Sequence, residues 1–462
     1  MLSASTTAYQ TFTDSYWSQQ QEAVNPYCIF KPAKPEQVAV QVLISRLTQC
    51  PFATKSGGHA AFAGASSIEG GVTMSLESFN QVTPSSDLKT ANIGPGNRWL
   101  QVYTGLQPYN IQVVGGRVAA IGVGGLTLGG GISFFSNLYG WACDNVLEYE
   151  VVTAWGVVIN VNQGTFPDLY WALRGGGNNF GIVTNFKVNT IPLPGGLMWG
   201  GSRVSLDNGT NFANLIKAFT DLGTTGATAD PNAAQILSFT SYQGLSLASA
   251  ALEYAKPVAN APVFNEYLAV PVISDTTSVR TLANITNEFA QSNPDGRRET
   301  YWVAAYKLTN AMTTYVKDTF YKELPTVIDA SGIVPAATLQ VITVPQIKAM
   351  AQRGGNPLGL TPDEGPLLLL NMNVQWDNVA DDQRILDFNR RIIDETVAYA
   401  KTNGLYNEYL YMNYASQFQD VISSYGSANK ARLVSIAKKY DPTGVFQDLE
   451  PGGFKLDGAP AG

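Results

Sequence analysis

Apolar positions along the chain come in two textures. Up to about residue 195 they form short runs broken by glycine, with helical and strand spacing in alternation. Residues 35–50, PEQVAVQVLISRLTQC, open on Pro and place Val38, Val42 and Leu47 near helical spacing, which predicts a helix. In GGVTMSLESFN, Val72, Met74 and Leu76 alternate as in a strand. IGPGNRWLQVYTGLQPYN reads as a turn followed by a helix, and IQVVGG as a strand. EYEVVTA and VVINV read as a hairpin joined at Trp155-Gly156. FPDLYWALRGGG is a short amphipathic helix stopped by three glycines, and FGIVTNFKVNTI is a further strand.

The texture changes after Pro192-Leu193-Pro194-Gly195-Gly196, the best domain boundary in the chain. Between about 200 and 410 the helical patterns lengthen. GPLLLLNMNVQW reads as a strand, and DDQRILDFNRRIIDETVAYAK puts Ile385, Phe388, Ile392 and Val397 close to one helix face. The tail ends in KKYDPTGVFQDLEPGGFKL, and no internal repeat or low-complexity linker is present.

Composition removes several function classes. Of 462 residues, 14% are charged and 45% apolar, a balance for a large folded core rather than disorder. Lys and Arg total 29 against 36 Asp and Glu, a net charge of −7 without a basic run, which argues against a nucleic-acid partner. No apolar stretch approaches the ~20 residues of a membrane span. The single histidine, His59, rules out a site needing two imidazoles or a His-cluster metal centre. Three cysteines, Cys28, Cys50 and Cys143, are too few for an all-thiolate zinc site or a cysteine-ligated iron–sulfur cluster. Met1 to Gln20 lacks the apolar core of a cleavable leader. Two sequons, Asn208-Gly209-Thr210 and Asn284-Ile285-Thr286, lean weakly toward secretion. Cys28 and Cys50 flank the predicted helix, a spacing that suits a disulfide or two buried thiols equally.

Two glycine clusters carry the chemistry. Lys55-Ser56-Gly57-Gly58-His59-Ala60 follows a strand-like segment, and Gly122-Val123-Gly124-Gly125-Leu126-Thr127-Leu128-Gly129-Gly130-Gly131 follows later. Such clusters expose successive N–H groups and allow close approach to a flat or phosphorylated ligand. Neither fits G-x-G-x-x-G, and no G-x-x-x-x-G-K-[ST] is present, so the Rossmann and P-loop readings fail on pattern.

The order KSGGHAAFAG, GGVTMSLESFNQV, IGPGNRWLQVY, VVGG, IGVGGLTLGGGIS, YGWACDNVLEYEVVTAWG, LRGGGNNFGIVTNF, YMNY and YDPTGVFQ spans nearly the whole chain. It closely resembles the FAD-linked oxidases of the vanillyl-alcohol-oxidase type, in their berberine-bridge-enzyme-like branch common in fungi and plants. The resemblance implies an α+β flavoprotein of two domains. A discontinuous FAD-binding domain would span 1–195 and 415–462, and a substrate domain on an antiparallel sheet would span 196–414.

Residue roles follow from the same resemblance. His59 takes the position whose ring nitrogen bonds to the 8α carbon of FAD. A second linkage is not expected, because Val118 stands where many relatives carry cysteine. Cofactor contacts fall on Lys55, Ser56, Gly57, Gly58, His59 and Ala60, on Ile121, Gly122, Gly124, Gly125 and Gly129, on Asn145 and Val146, on Gly181 and Ile182, and on Asn413 and Tyr414. Tyr411 of Tyr411-Met412-Asn413-Tyr414 is the expected proton acceptor. Its phenol needs a nearby cation that the sequence does not name. Gln375 and Trp376 match a strand facing the substrate side of the flavin. Ile121 sits where relatives control oxygen access to the ring, valine there accompanying oxidases. The secreted branch further implies a Cys28–Cys50 disulfide with Cys143 reduced and buried. The implied function is oxidation of an organic C–H bond, an alcohol or sugar carbinol foremost, with oxygen reduced to hydrogen peroxide. Oxidative cyclisation or dehydrogenation of a secondary metabolite, or flavin binding without turnover, are the alternatives. Partners are a small-molecule substrate and molecular oxygen, with no nucleic acid and no membrane.

Overall fold

The structure, a computed structural model, describes residues 2–3 and 6–460. Three sheets organise it. The first has four strands in the order Leu2–Ser3, Cys28–Phe30, Val72–Ser75, Phe52–Lys55. Both strands flanking Val72–Ser75 run parallel to it, joined by the helix Pro35–Thr48. That helix lies where the apolar spacing predicts it, and Val38 and Val42 are fully buried while Leu47 is exposed.

The second sheet is antiparallel, with its long strand Ile182–Pro192 pairing Thr90–Ile93, Ile111–Val113 and Val146–Val152. Val146–Val152 and Val158–Asn162 form the hairpin read from the sequence. The changeover to the third sheet falls at Pro194–Gly196, immediately before the strand Leu197–Leu206.

The third sheet has nine strands. Its continuous order is Ser274–Asp275, Leu197–Leu206, Leu245–Tyr254, Ala233–Tyr242, Val334–Ile342, Leu367–Trp376, Arg298–Lys307, Tyr406–Asn407. Every pairing in it is antiparallel. Period two then decides which residues meet which layer. Leu368, Leu370, Met372, Val374 and Trp376 pack into one apolar core with the helices Asn310–Glu323 and Asp382–Thr402. The alternate residues of the same strand, including Asn371 and Asn373, face the other way. After Tyr406–Asn407 the chain returns to the first two sheets, and Tyr411, Met412 and Ala415 join their core.

The disulfide expected from the resemblance is absent: Cys28, Cys50 and Cys143 are all free. Cys28 and the strand that follows Cys50 pair with opposite edges of Val72–Ser75. Two strand spacings, about 9–10 Å, therefore separate those strands, too far for the Cα atoms of a disulfide. Cys143 is fully buried, as expected, and burial pushes its thiol pKa up.

Candidate active site

The two glycine clusters meet back to back. A Cβ on Gly57 would lie 2.5 Å from the Gly122 Cα, and one on Gly122 would lie 2.4 Å from the Gly57 nitrogen. Only glycine tolerates that approach. Ser56 ties the loops together, its Oγ donating to the Pro95 carbonyl at 2.5 Å and accepting from the Gly124 N–H at 3.1 Å. Gly58, at φ +69°, makes the left-handed turn that precedes His59.

These loops form one wall of a cavity of about 550 Å³. Ser56, Gly57, Gly58, His59 and Ala60 line it from the first cluster, and Ile121, Gly122, Gly124 and Gly125 from the second. Gly181, Ile182, Val118, Tyr411, Asn413 and Tyr414 line it as well.

His59 is held as a neutral ring. Its imidazole stacks on Trp17, centroids 4.1 Å apart and planes 11° from parallel. Burial pushes its pKa down to about 3, and Nε2 has no hydrogen-bond partner. A neutral imidazole with a free nitrogen in a glycine-lined cavity is equipped as a nucleophile.

Six residues expected at the site lie elsewhere. Lys55 turns away from the cavity, donating to Ser15 Oγ at 2.9 Å and sitting over the Phe12 and Tyr16 rings, and burial lowers its pKa to about 8. Gly129 serves packing, since a Cβ there would lie 2.2 Å from Asn413 Oδ1. Asn145 donates to the Tyr139 and Trp141 carbonyls, both at 2.9 Å, and Val146 is core. Their turn holds the second cluster from behind: Ala142 and Cys143 N–H donate to the Gly131 and Gly130 carbonyls. Gln375 shares a sheet face with Asn371 and Asn373 but is not among the cavity-lining residues. Trp376 occupies the opposite face, its Nε1 donating to Asp382 Oδ1 at 2.9 Å. A one-residue step along a strand reverses the face, which explains why Trp376 cannot share its neighbour's role.

The facing wall is the third sheet. Ser238, Thr240, Thr338, Gln340, Asn371 and Asn373 present hydroxyls and amides to the cavity. Ser238 Oγ and Thr338 Oγ1 lie 3.0 Å apart, and Thr338 donates to Asn373 Oδ1 at 2.8 Å. Among the described residues, the only Asp, Glu, Lys or Arg side chains lining the cavity are Arg117 and Glu450.

At the junction of the walls, the two tyrosines of the tail segment differ. Tyr411 is 2% exposed, and its hydroxyl oxygen accepts from Gly131 N–H at 3.2 Å, Ile132 N–H at 3.0 Å and Asn413 Nδ2 at 3.0 Å. Three donors exceed the two lone pairs of a phenol. Burial is the largest influence on this group and pushes its pKa up. The cation missing from the sequence reading is Arg117, and it touches the other tyrosine. Its Nη2 donates to Tyr414 Oη and to Gln340 Oε1, both at 2.6 Å, while Gln340 Nε2 donates to Tyr414 Oη at 3.0 Å. Tyr301 completes an aromatic line, its ring 5.4 Å from Trp17 and 6.0 Å from Tyr414. Arg117, Tyr301 and Trp17 escaped sequence reading. Arg117 stands one residue past the quoted VVGG pair, a weak signal, and the other two had none.

Comparison with known proteins finds relatives along the whole chain. A family model described as FAD binding domain matches residues 26–162, and one described as berberine and berberine like matches residues 410–449. The FAD-dependent monooxygenase tpcD of Cochliobolus heterostrophus is 35% identical over 454 residues, covering 96% of this chain and 87% of that protein. The FAD-dependent monooxygenase sdcF of Emericella nidulans is 36% identical over 463 residues, covering 98% and 95%. Among solved structures, 6-hydroxy-D-nicotine oxidase from Arthrobacter nicotinovorans superposes with a TM-score of 0.82 at 20% identity, covering 99% of this chain and 97% of that one. Xylooligosaccharide oxidase from Myceliophthora thermophila, bound to xylobiose, superposes with a TM-score of 0.76 at 20% identity, covering 96% and 94%.

Proposed function

The chain belongs to the FAD-dependent oxidoreductases of the berberine-bridge-enzyme-like family, and from that membership we propose that it oxidises a carbinol C–H bond of a neutral, hydroxylated small molecule, with FAD bonded to His59 and oxygen reduced to hydrogen peroxide. The observation that carries this reading is the Arg117–Tyr414–Gln340 cluster, set in one cavity with His59 and opposite a wall of uncharged hydroxyls and amides. Residues 1–195 with 415–462 would hold the cofactor, and 196–414 the substrate.

The residues present fit FAD. The abutting glycine loops offer backbone N–H groups to its phosphates, and the orphaned His59 nitrogen is available to its 8α carbon. Bound there, FAD supplies a two-electron acceptor that takes hydride and passes the electrons to oxygen. His59 would hold the group covalently, its ring nitrogen bonding to the 8α carbon with loss of one proton from each, and oxygen would take the two electrons released. Burial keeps the imidazole neutral for this step, and stacking on Trp17 fixes the plane of the ring. Val118 offers no thiol for a second bond.

Tyr414 takes the substrate hydroxyl proton as hydride departs. Its oxygen receives two donors, one of them the Arg117 guanidinium, where that of Tyr411 receives three. Tyr411 has no lone pair to spare. It fixes the Gly131–Ile132 backbone and, through its ring 4.9 Å from Tyr414, the position of that base. The Ser238–Thr338–Asn373 relay binds hydroxyls without selecting charge.

Mixing the protein anaerobically with sugars and alcohols, and separately with phenols and amines, tests the substrate class. Loss of the flavin's visible absorption with the first panel is expected, and loss with the second alone would overturn the carbinol assignment. A second reading, insertion of an oxygen atom, is favoured by the monooxygenase names of the 35–36% identical relatives. Isotopically heavy oxygen separates the two: label in hydrogen peroxide supports oxidation, and label in the organic product supports insertion.

A further inference from the structure

Glu450 lines the same cavity and has no part in the reaction described. It follows the turn Val445–Leu449, is 1% exposed, and neither of its carboxylate oxygens has a hydrogen-bond partner. Thr54, near the end of the strand Phe52–Lys55, also lines the cavity, and its Oγ1 is likewise buried and unpaired. Thr54, Asn178 and Lys455 approach the carboxyl closely enough to favour its charge, against the burial that pushes its pKa up. None reaches hydrogen-bond geometry with it. Asn178 Nδ2 donates instead to the Gly452 carbonyl at 3.0 Å, and Lys455 Nζ to the Phe446 carbonyl at 2.8 Å.

Buried carboxylates are ordinarily paired, so two unpaired oxygens on a side chain that lines a cavity call for a ligand that brings donors. Phosphates bring acceptors and negative charge and are unsuited. Sugar hydroxyls bring donors without charge. An acidic side chain meets ribose hydroxyls for the same reason in dinucleotide-binding folds of different topology. We propose that Glu450, with Thr54 beside it, receives hydrogen bonds from sugar hydroxyls of FAD. The adenosine ribose and the ribityl chain present the same chemistry, and the measurement separates them. The assignment rests on FAD binding, and on neither the linkage to His59 nor the substrate.

The full chain carrying His59→Ala, in which flavin binds reversibly, is titrated by flavin fluorescence with and without Glu450→Gln or Glu450→Ala. If flavin already leaves the unsubstituted protein on denaturation, the linkage reading fails and the same titration runs on the natural His59. Three ligands are compared: FAD, FAD with a 2′,3′-dideoxyribose in its adenosine half, and riboflavin. Glu450→Ala is expected to weaken FAD by about 10–100-fold, the scale of a hydrogen bond to a charged group. Glu450→Gln, whose carbonyl still accepts, should weaken it by about 3–10-fold. A penalty that disappears with the dideoxy analogue assigns the adenosine ribose, and one that persists with all three ligands assigns the ribityl hydroxyls. No penalty with FAD, or a penalty kept by the dideoxy analogue but absent with riboflavin, overturns the proposal. The flavin-free protein supplies the control: Glu450→Gln should raise its melting temperature, because an unpaired buried carboxylate is removed. A merely structural Glu450 would lower melting temperature and affinity together.

Discussion

On its glycine-loop side the cavity is built from abutting glycine backbone, one imidazole and apolar side chains such as Val118, Ile121 and Ile182, and on its sheet side hydroxyl and amide side chains supply the polar groups. The first wall depends on what side chains are missing. Gly57 and Gly122 abut because neither has a Cβ, and Ser56 pins the contact. The second wall depends on which side chains alternate onto one face of nine antiparallel strands. A wall of backbone suits a single large ligand and resists substitution. A wall of alternating side chains exchanges its chemistry one residue at a time. The two walls meet where Arg117 of the loop side reaches Gln340 and Tyr414, and where Tyr301 of the sheet packs against Trp17 and Tyr414.

The sharpest separation of the two walls is expected at His59. His59→Ala should release all the flavin on acid precipitation, while the unsubstituted protein keeps its yellow colour; a colourless natural protein would end the linkage. Next in size is the pair of tyrosines. Tyr414→Phe should slow anaerobic flavin reduction by about 10²–10⁴, the scale of a positioned general base, with melting temperature nearly unchanged. Tyr411→Phe should act chiefly on stability, by about 1–3 kcal/mol, because it strands buried N–H donors. A larger rate loss in Tyr411→Phe than in Tyr414→Phe would return the base to Tyr411.

On the sheet side, Glu299 is 4% exposed, and burial raises its pKa to about 9, with Arg297 opposing. The folded state holds this proton and the unfolded state gives it up near the ordinary carboxyl value of about 4.3. Stability from this group is therefore complete below about pH 4.3 and lost as pH rises toward 9. Glu299→Gln should raise stability at pH 8 by about 1–3 kcal/mol and flatten the alkaline decline, as read by denaturant unfolding across pH. An unchanged pH profile would place the ionised carboxylate in contact with solvent. The smallest effect is expected at Ile121, which lines the cavity. Ile121→Val should cost about 0.5–1.5 kcal/mol and quicken reoxidation by oxygen in stopped flow; equal rates would remove the oxygen gate.

Legibility followed the same division. The glycine loops, His59, the helix Pro35–Thr48 and the hairpin at Trp155-Gly156 were readable because local spacing and Cβ sterics decide them. The sheet wall was not, since Asn371 and Asn373 become lining residues only through pairing with strands far away in sequence. Asn145 and Val146 belong to a recognisable motif, yet neither lines the cavity: Asn145 holds the turn whose Ala142 and Cys143 N–H groups donate to the Gly131 and Gly130 carbonyls.

By itself the sequence determined the cofactor half: one imidazole in the whole chain, glycines where only glycine fits, and a changeover of texture at 192–196. Tertiary structure alone decided which tyrosine meets a cation. Tyr411 and Tyr414 are three residues apart and chemically identical. Arg117 lies 297 positions before Tyr414 and, of the two phenol oxygens, donates to that one alone, while Gly131 and Ile132 saturate the other. Hydrogen-bond geometry acts over about 3 Å, and no local pattern encodes which distant donor will arrive there.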